Sequence, residues 1–443
     1  MRPTPDPGRT ALALPAHLIE IAIRPGDHAY DNVRHTYTRL GTPAAVLRVR
    51  GHSDIAEALA YARTAGTPLT VRSGGHGISG RSTNDDGIVI DLARLDAVEI
   101  LDEDAGLVRV GAGARWGDVA KSLASYGLAL SSGDTGDVGV GGLATAGGIG
   151  LMSRQHGLTI DHIHAVKVVM ADGSSQRVDA DHDPDLFWAL RGAGANFGVA
   201  TAFEFHAVRI REVITAFTLY DARRMSSFLT NWGAAVEAAP RAVSSFLTLV
   251  QGPDGRPFGH AMTVYAGSER HAALAALAPV LAAGPVLRND VTVMPYHRLV
   301  PAHHRPQCAQ QPLTESRSGL LDRITLSAAE AIGRVMTAAG IVQLRSVGGA
   351  VNDTAPGAMA YAHRTQKFSL MAATTPALVD DLDDRWEVLH PHLNGLYLNF
   401  ETRTGRRQLQ DAFPGAVLDR LIALKARHDP HHLFDSNFAL PSA

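Results

Sequence analysis

Cysteine is almost absent from this sequence, which contains only Cys308. A single thiol cannot build a disulfide framework, a cysteine-based zinc site or an iron–sulfur cluster within the chain. A lone thiol can act as a nucleophile, but a free cysteine usually behaves as a small buried apolar residue. We therefore interpret Cys308 as a structural residue.

An excess of charge of one sign and long apolar runs are also lacking. The net charge is −3 over 443 residues, which gives no electrostatic footprint for nucleic acid or for an anionic membrane. The longest apolar stretch, 272–283, is too short to span a bilayer and contains Pro279. No charged segment followed by an apolar run begins the sequence, so we expect no secretory signal and a cytoplasmic location. Hydrophobic residues make up 45% of the chain, enough for a sizeable core.

Local patterns in the first half predict short strands and helices. Residues 44–72 predict a strand, a helix and a second strand. Ser53 is placed to cap this helix, and Gly66 lies where a glycine that ends a helix belongs. Short apolar runs between 88 and 110, separated by turn residues, predict a β-meander.

A change of character near residue 210 predicts a domain boundary. Beyond it, helices rich in alanine and leucine alternate with strand-like runs, and glycine-rich loops become rare. The predicted helices are 222–238, 268–283, 326–339 and 375–388. This part carries no motif from which a ligand can be identified.

Glycine is concentrated in three segments of the first half: 72–80, 133–150 and 191–198. Glycine runs cost chain entropy, and their benefit is a close approach of the backbone to a ligand. Successive N–H groups in such turns form nests suited to phosphate. Together the three segments indicate a large phosphate-bearing cofactor, although each one alone is also compatible with a tight turn. None contains lysine, which disfavours an NTPase.

A loose dinucleotide pattern occupies 139–144, and Asp161 follows about 20 residues later. The segment 132–137 separates this pattern from any preceding strand, and the glycines that follow it form helices poorly. A nicotinamide-dependent dehydrogenase is therefore a secondary alternative.

Histidine supplies further candidates. His76 lies between glycines in the first glycine-rich segment, where an imidazole can be a structural residue, a general base or a ligand. His428, His431 and His432 have helical i, i+3, i+4 spacing, but Pro430 breaks a helix there. We predict no metal site.

These segments resemble the flavoproteins of the vanillyl-alcohol-oxidase/PCMH superfamily. They resemble more closely its berberine-bridge-enzyme-like group, which includes 6-hydroxy-D-nicotine oxidase-type proteins. The resemblance extends through nearly the whole chain in family order. It rests on 72–80 (RSGGHGISG), 138–154 (VGVGGLATAGGIGLMSR), 157–161 (GLTID), 183–205 (DPDLFWALRGAGANFGVATAFEF), 397–399 (YLN) and 428–434 (HDPHHLF).

The resemblance implies an α+β fold with three parts. A PCMH-type FAD-binding domain of two subdomains would occupy 1–210, and a substrate domain with an antiparallel sheet backed by helices would occupy 211–395. The C-terminal segment, 396–443, would return to the FAD-binding domain. The cofactor-binding residues that the resemblance implies are Arg72, Ser73, Gly74, Gly75, His76, Gly77, Ser79, Gly133, Thr135, Val138, Gly139, Gly142, Gly147, Gly148, Gly150, Gly198, Val199, Asn399 and Asn437.

The resemblance also implies FAD attached covalently through His76. Many family members form a second bond through a cysteine in a G-x-C-P-x-V-G segment, which corresponds to 133–139 here. Thr135 stands at the cysteine position, so we expect attachment through His76 alone. Gly77 departs from the serine often found there. Val138 corresponds to a residue that controls access of O2, and valine at that position is typical of oxidases.

The chemistry implied by the resemblance centres on Tyr397. We expect Tyr397 to be a base or a substrate-orienting acid, with Asn399 beside the flavin ring. Glu401 is a weaker candidate, because some relatives use a carboxylate near this motif. A tyrosine of pKa about 10 needs an activating partner to act as a base at neutral pH. The sequence does not identify that partner, and a buried structural tyrosine is the alternative.

The expected function is an FAD-dependent oxidase acting on a small or medium organic substrate of secondary-metabolite type. Hydride would pass from the substrate to FAD, with O2 as the electron acceptor and H2O2 as the product. Reoxidation of a reduced quinone-type antibiotic, as self-protection, is one such reaction. The alternatives are a ligand-sequestering protein with a structural flavin and the nicotinamide-dependent dehydrogenase. The sequence identifies neither the substrate nor the oligomeric state.

Overall fold

A computed structural model describes residues 12–304 and 314–442 of the chain. Cys308 lies outside the described residues, so its structural role stays a prediction. Within the described ranges, every helix is too short or too polar to span a bilayer.

Short strands joined by helices form the part before residue 210. In chain order the strands are β1 (Ala22–Ile23), β2 (Ala45–Arg48), β3 (Leu69–Arg72), β4 (Ile88–Asp91), β5 (Val98–Asp102), β6 (Leu107–Gly111), β7 (Leu128–Ala129), β8 (Ile163–Val169), β9 (Ser175–Val178), β10 (Val199–His206) and β11 (Val208–Arg209). The helices are α1 (Ala16–Ile21), α2 (Tyr30–Val33), α3 (His52–Ala65), α4 (Trp116–Ala124), α5 (Val140–Ala144), α6 (Ser153–His156) and α7 (Pro184–Ala193).

The first sheet has the order β1-β2-β4-β3 and is mostly parallel. β4 pairs in parallel with both β2 and β3. It is buried along its whole length, as a strand in a parallel sheet usually is. The β-meander predicted for 88–110 is therefore wrong in part, because only β5 and β6 pair with each other. A run of three apolar residues, Ile88–Ile90, has no period that distinguishes the two arrangements.

The helix predicted within 44–72 is α3, but its start differs from the prediction. Ser53 does not cap α3, and no side chain bonds to its first turn as a cap. The carboxylate of Asp54 instead accepts a hydrogen bond from the backbone N–H of Arg50 at 2.7 Å. Gly66 ends the helix as predicted, with φ 60° in the left-handed region that glycine favours.

The second sheet is antiparallel, with the order β5-β6-β10-β8-β9, and β7 pairs with β11 in a small ribbon beside it. Apolar residues of both sheets, of α3 and of α4 share one core. Trp116 and Phe205 meet in this core with ring centroids 5.8 Å apart. The glycine-rich loops leave the strands and helices that this core holds in place.

A seven-stranded antiparallel sheet follows, with its own core. Its order is β15-β12-β14-β13-β17-β18-β16. The strands are β12 (Glu212–Asp221), β13 (Val243–Gln251), β14 (Pro257–Tyr265), β15 (Val286–Pro295), β16 (Glu315–Leu321), β17 (Ile341–Ser346) and β18 (Phe368–Thr374). The helices of this part are α8 (Met225–Ala238), α9 (Arg270–Leu281), α10 (Tyr296–Leu299), α11 (Leu326–Met336) and α12 (Val379–Leu389).

Helices α8, α9, α11 and α12 cover one face of this sheet. Trp232 and Phe368 lie in the second core with ring centroids 5.6 Å apart. The four helices match the four predicted ones, and the α+β fold class with an antiparallel sheet backed by helices is confirmed. The sheets change between β11 and β12, but the domain boundary at 210 stays a prediction.

The C-terminal segment packs against the first core. It contains α13 (Arg406–Ala412) and α14 (Ala416–His428). Phe413, Leu421 and Phe434 are buried among the residues of the first half. This packing brings residues beyond 396 to the glycine-rich loops.

Candidate functional site

Three glycine-rich loops meet at one cavity of about 380 Å³. The first two loops cross where Gly74 faces Gly139. A Cβ on Gly74 would lie 2.4 Å from the backbone nitrogen of Gly139, so only glycine permits this approach. The loops therefore line one shared space, which unrelated tight turns would not do.

Most of the predicted site residues line this cavity. They are Ser73, Gly74, Gly75, His76, Gly77, Ser79, Gly133, Thr135, Val138, Gly139, Gly142, Gly198, Tyr397, Asn399 and Asn437. Their convergence is a property of the fold, whereas their individual roles stay predictions.

The first loop presents backbone donors to the cavity. The N–H groups of Gly75, Gly77 and Ser79 donate to no acceptor among the described residues. Gly75 has φ 64°, and a left-handed residue of this kind turns successive N–H groups toward one side of a loop. Such a nest fits an anion. The pyrophosphate of a dinucleotide cofactor has this chemistry, so the residues present fit FAD.

A kink at the end of α7 shapes the third loop. Arg191 and Gly192 leave the helical conformation, and Gly192 has φ 139°. The N–H groups of Gly192 and Gly194 both donate to the carbonyl of Thr145, at 3.1 and 3.3 Å. These bonds hold the third loop against the second, and residues 193–196 form a wall of the cavity.

His76 is the titratable group at the centre of the first loop. Its ring stacks on Tyr37, with centroids 4.3 Å apart and planes 15° from parallel. Burial lowers the pKa of His76 below its usual value, and the charges of Asp137 and Asp134 only partly oppose this. The imidazole is therefore neutral near pH 7 and keeps a nitrogen lone pair available.

Asp137 anchors the second loop. Its carboxylate accepts hydrogen bonds from the backbone N–H groups of His303 and His304, both at 3.0 Å, and from Arg115 at 3.0 Å. Burial raises its pKa, but these bonds outweigh burial and leave the pKa below the usual value. Val138 follows directly and lines the cavity.

Tyr397 is almost fully buried at the cavity wall, with 2% of its surface exposed. Its phenolic oxygen accepts hydrogen bonds from the backbone N–H of Gly148 at 3.1 Å and from Nδ2 of Asn399 at 2.8 Å. Burial raises the pKa of Tyr397, while Asn399, Gly148 and the charge of Arg345 lower it. The net result is a raised pKa, so the resting group is a neutral phenol in a set of donors suited to a phenolate.

Arg345 and Gln343 are site residues that the sequence did not reveal. Both lie on β17 and line the cavity with Met371. The guanidinium of Arg345 bonds to Asp134 at 3.0 Å and to Oε1 of Gln343 at 2.9 Å. Two polar residues spaced i, i+2 in an apolar strand were the only signal, because such residues share a face.

Arg81 connects the C-terminal segment to the first loop. Its guanidinium donates to the carbonyl of Thr402 at 2.8 Å and to Oδ1 of Asn437 at 3.2 Å. It also lies over the ring of Phe438, 4.5 Å from the centroid. Asn437 therefore reaches the cavity as predicted, held by a cation that the sequence analysis did not select.

Six predicted site residues do not line the cavity: Arg72, Gly147, Gly148, Gly150, Val199 and Glu401. Val199 is buried within β10, and Gly150 donates its N–H to Oγ of Ser153 at 2.7 Å. Gly147 lies behind Tyr397, since a Cβ on it would be 3.0 Å from the tyrosine ring.

Arg72 forms a buried ion pair instead of contacting the cavity. Its guanidinium donates to Asp91 at 2.6 Å and to the carbonyls of Val33 and His35. These bonds join the ends of β3 and β4, so the expected cofactor contact is corrected to a structural role.

Glu401 is fully buried and committed to neighbouring groups. Its carboxylate accepts from the backbone N–H of Arg403 at 2.9 Å, from Nε of Arg403 at 3.1 Å and from the N–H of Ser318 at 3.2 Å. The geometry makes Glu401 a link between β16 and the C-terminal segment rather than a base.

The dinucleotide pattern at 139–144 does not form a Rossmann unit. It lies in α5, a helix of five residues that follows a loop, whereas the fingerprint requires a strand before a long helix. Asp161 pairs with Arg364 at 2.7 Å. The geometry therefore gives the nicotinamide alternative no support. Among residues 12–304 and 314–442, no group of three or more His, Cys, Asp or Glu side chains is arranged to hold a metal ion.

Comparisons with known proteins identify an FAD binding domain in the first half of the chain. The family model of an FAD binding domain matches residues 43–179. The chain is 36% identical over 209 residues to (R)-6-hydroxynicotine oxidase from Paenarthrobacter nicotinovorans, covering 46% of this chain and 45% of that protein. The alignment thus spans about half the length of that relative.

Two solved structures share the architecture over almost the entire chain. The xylooligosaccharide oxidase from Myceliophthora thermophila in complex with xylobiose has a TM-score of 0.84 at 25% identity, covering 95% of this chain and 97% of that one. The BBE-like 1 protein of Physcomitrella patens has a TM-score of 0.82 at 22% identity, covering 96% of this chain and 98% of that one. At the lower identity the likeness concerns the fold alone.

Proposed function

We propose that the chain is an oxidase of the vanillyl-alcohol-oxidase/PCMH superfamily, of its berberine-bridge-enzyme-like group, whose FAD is bonded covalently to His76 alone. The FAD binding domain matched at residues 43–179 and the similarity to (R)-6-hydroxynicotine oxidase support the proposal. The observation that carries the proposal is the neutral imidazole of His76 between two glycines, in the same cavity as Tyr397. A neutral ring nitrogen is the nucleophile that such a bond needs. Thr135 lines the cavity and stands at the position where many members of the resembled family carry a cysteine, so a second bond would have no thiol there.

Backbone donors of the three loops would hold the cofactor's anionic part. The free N–H groups of Gly75, Gly77 and Ser79 suit the pyrophosphate, and Arg81 adds a cation at the same cavity. Bound FAD would supply hydride acceptance and reoxidation by O2 with release of H2O2. Val138 lines the cavity with a small side chain, which would leave room for O2 to reach the bound cofactor.

The remaining cavity residues would act on the substrate. Tyr397 would take the proton from the O–H or N–H group of the carbon being oxidised, because its oxygen lies among donors that stabilise a phenolate. Arg345 is neutralised by Asp134 at 3.0 Å, so the cavity favours an uncharged substrate over a strongly anionic one. Gln343 and Arg345 would orient its polar groups.

The substrate class is a small or medium hydroxyl- or amine-bearing molecule of secondary-metabolite type. A reduced quinone-type antibiotic would fit the same chemistry, in which case the enzyme would act in self-protection. Two similar proteins are named as oxidases of 6-hydroxynicotine and of xylooligosaccharides.

The deciding experiment follows the yellow colour through denaturation. Acid precipitation of the purified protein should leave flavin in the pellet, and trypsin should release it on peptide 73–81. His76→Ala should move the flavin to the supernatant, while the exposed His28→Ala should not. A colourless wild-type pellet would show that the flavin is not bonded covalently to the protein. A bound flavin with no H2O2 release for any oxidisable substrate would favour ligand sequestration.

A further inference from the structure

Strand β15 leaves one edge of the seven-stranded sheet without a partner among the described residues. All seven residues from Val286 to Thr292 are exposed. Unpaired edges of this length are templates for pairing with another chain, and proteins usually shorten or cover them.

The two faces of β15 have different chemistry. Val293 packs beside Ile214 in the core under the helices, so the alternation of a strand puts Val291 and Asn289 on that same face. The alternation is interrupted at Leu287, because the register against β12 shifts between Arg288 and Val286. Leu287 and Val291 are 54% and 40% exposed, and Leu274 on the neighbouring helix α9 is 55% exposed. Exposed apolar side chains therefore lie along this edge on either side of Asn289.

The opposite face of β15 carries one charge of each sign. Arg288 and Asp290 lie there, two residues apart, with Nε of Arg288 2.8 Å from Oδ2 of Asp290. Asp290 is opposite Phe217 of β12, which is 43% exposed. Both charges are largely open to solvent, where an ion pair contributes little to stability.

We propose that β15 pairs antiparallel with β15 of a second copy of this chain, about a two-fold axis at Asn289. A two-fold axis perpendicular to the sheet keeps the faces of both copies aligned, so only residues of equal parity can stand opposite each other. Centring the axis on Asn289 sets Arg288 of each copy against Asp290 of the other. The charges are then matched in both pairs.

Neighbouring registers are disfavoured by charge. An axis at Arg288 would place two arginines opposite each other, and an axis at Asp290 would place two aspartates opposite each other. Like charges directly across a strand pair are destabilising. The same axis would bring helix α9 of each copy near the other, because α9 packs on β12 and β14 beside this edge, and Leu274 would then be covered.

The test is the oligomeric state of the flavin-loaded full chain by light scattering after gel filtration. The wild type should be a dimer at about 10 µM. Arg288→Asp and Asp290→Arg should each weaken dimerisation at least about tenfold, since two attractive pairs become repulsive. Neither residue lines the cavity, so flavin content should be unchanged.

Mixing the two variants supplies the sharper result. In a mixed pair, both acidic residues of one copy face both arginines of the other, so the mixture should form heterodimers that neither variant forms with itself. The double variant with both changes should also regain the dimer, while Val291→Lys should not form one. A wild type that stays monomeric at about 100 µM, or a dimer that both single variants retain, would overturn the proposal.

Discussion

At the scale of single residues, the pKa of Tyr397 is set by effects of opposite direction. Burial raises its pKa, while Asn399, Gly148 and Arg345 lower it. A group whose pKa lies above 10 is protonated at neutral pH. A rate that requires the phenolate therefore increases with pH until that pKa is reached.

Arg345→Met tests this balance. Removing the cation should raise the pKa of Tyr397 further, so the limb on which kcat/KM rises with pH should move to higher pH. The measurement is the pH profile of kcat/KM with any substrate that the enzyme turns over.

Gln343→Leu is the matched control, because it removes a polar neighbour on the same strand without changing the charge. Its pH profile should keep the wild-type position even if KM rises. An Arg345→Met profile that overlays the wild type would mean that Tyr397 is not the group that titrates.

Two glycines of the cavity should respond differently to the same substitution. Gly74→Ala would place a Cβ 2.4 Å from the backbone nitrogen of Gly139, and such overpacking costs about 1–3 kcal/mol. A Cβ on Gly142 meets nothing within 4 Å, so Gly142→Ala should leave the free energy of unfolding unchanged or slightly higher. Urea unfolding of both variants measures this, and equal losses would contradict the crossing of the two loops.

At the scale of elements, the sequence predicted the loops better than the side chains between them. Glycine is required where the local backbone adopts a left-handed conformation or approaches another group closely. The three glycine-rich loops could therefore be recognised from composition alone. Arg345 could not, because its place at the cavity depends on the order of strands in a sheet formed by distant segments. The surroundings of Glu401 could not be predicted either, because its burial depends on Arg403 and Ser318, neither of which belongs to a motif.

Helix α14 is joined to the third loop by Lys425, which forms a buried ion pair with Asp429. Nζ of Lys425 donates to Asp429 at 2.7 Å, to the carbonyl of Asn196 at 2.9 Å and to that of Phe434 at 2.7 Å. The backbone N–H of Leu433 also donates to Asp429 at 2.9 Å. One cation thus ties the helix, the C-terminal turn and a cavity loop together.

Lys425→Met should lower the free energy of unfolding by about 3–5 kcal/mol, because it leaves the carboxylate of Asp429 buried without its cation. It should also loosen the loop at Asn196 and lower the flavin content. Denaturant unfolding and the ratio of flavin to protein absorbance check both effects.

Arg427→Met is the control on the same helix, since this side chain is exposed and should change stability by no more than about 0.5 kcal/mol. Combining Lys425→Met with Asp429→Leu removes both charges and should recover much of the loss. If the single and double variants are equally unstable, the packing of these side chains rather than their charges stabilises the contact between α14 and the third loop.

At the scale of the whole molecule, the candidate site draws on residues from three distant segments. Loops of the first half contribute His76, β17 contributes Arg345, and the C-terminal segment contributes Tyr397. Two separate cores hold these parts. The site should therefore depend on the stability of the entire chain, and conditions that weaken either core should also affect the site.

Acid should weaken the whole fold in two stages. Burial lowers the pKa of His363 and of His156 from 6.5 to about 4. The unfolded chain therefore binds more protons than the folded one between these values, and stability falls as pH falls from 6.5 toward 4. Asp54 affects stability at a lower pH than the two histidines. Burial raises its pKa, but bonds from Arg50 and His17 outweigh burial and hold the pKa at about 2. Its contribution is lost between pH 3.8 and about 2.

His363→Gln isolates the first stage. The variant should unfold more easily at every pH, because the ring packs against Gly395 and Nε2 bonds to the carbonyl of Ala412 at 3.1 Å. The informative quantity is the slope of the unfolding free energy against pH, which should flatten between pH 6.5 and 4 by up to about 1.4 kcal/mol per pH unit. His28→Gln, at an exposed position, should keep the wild-type slope. A His363→Gln slope equal to that of the wild type would show that this histidine takes up its proton without opening the fold.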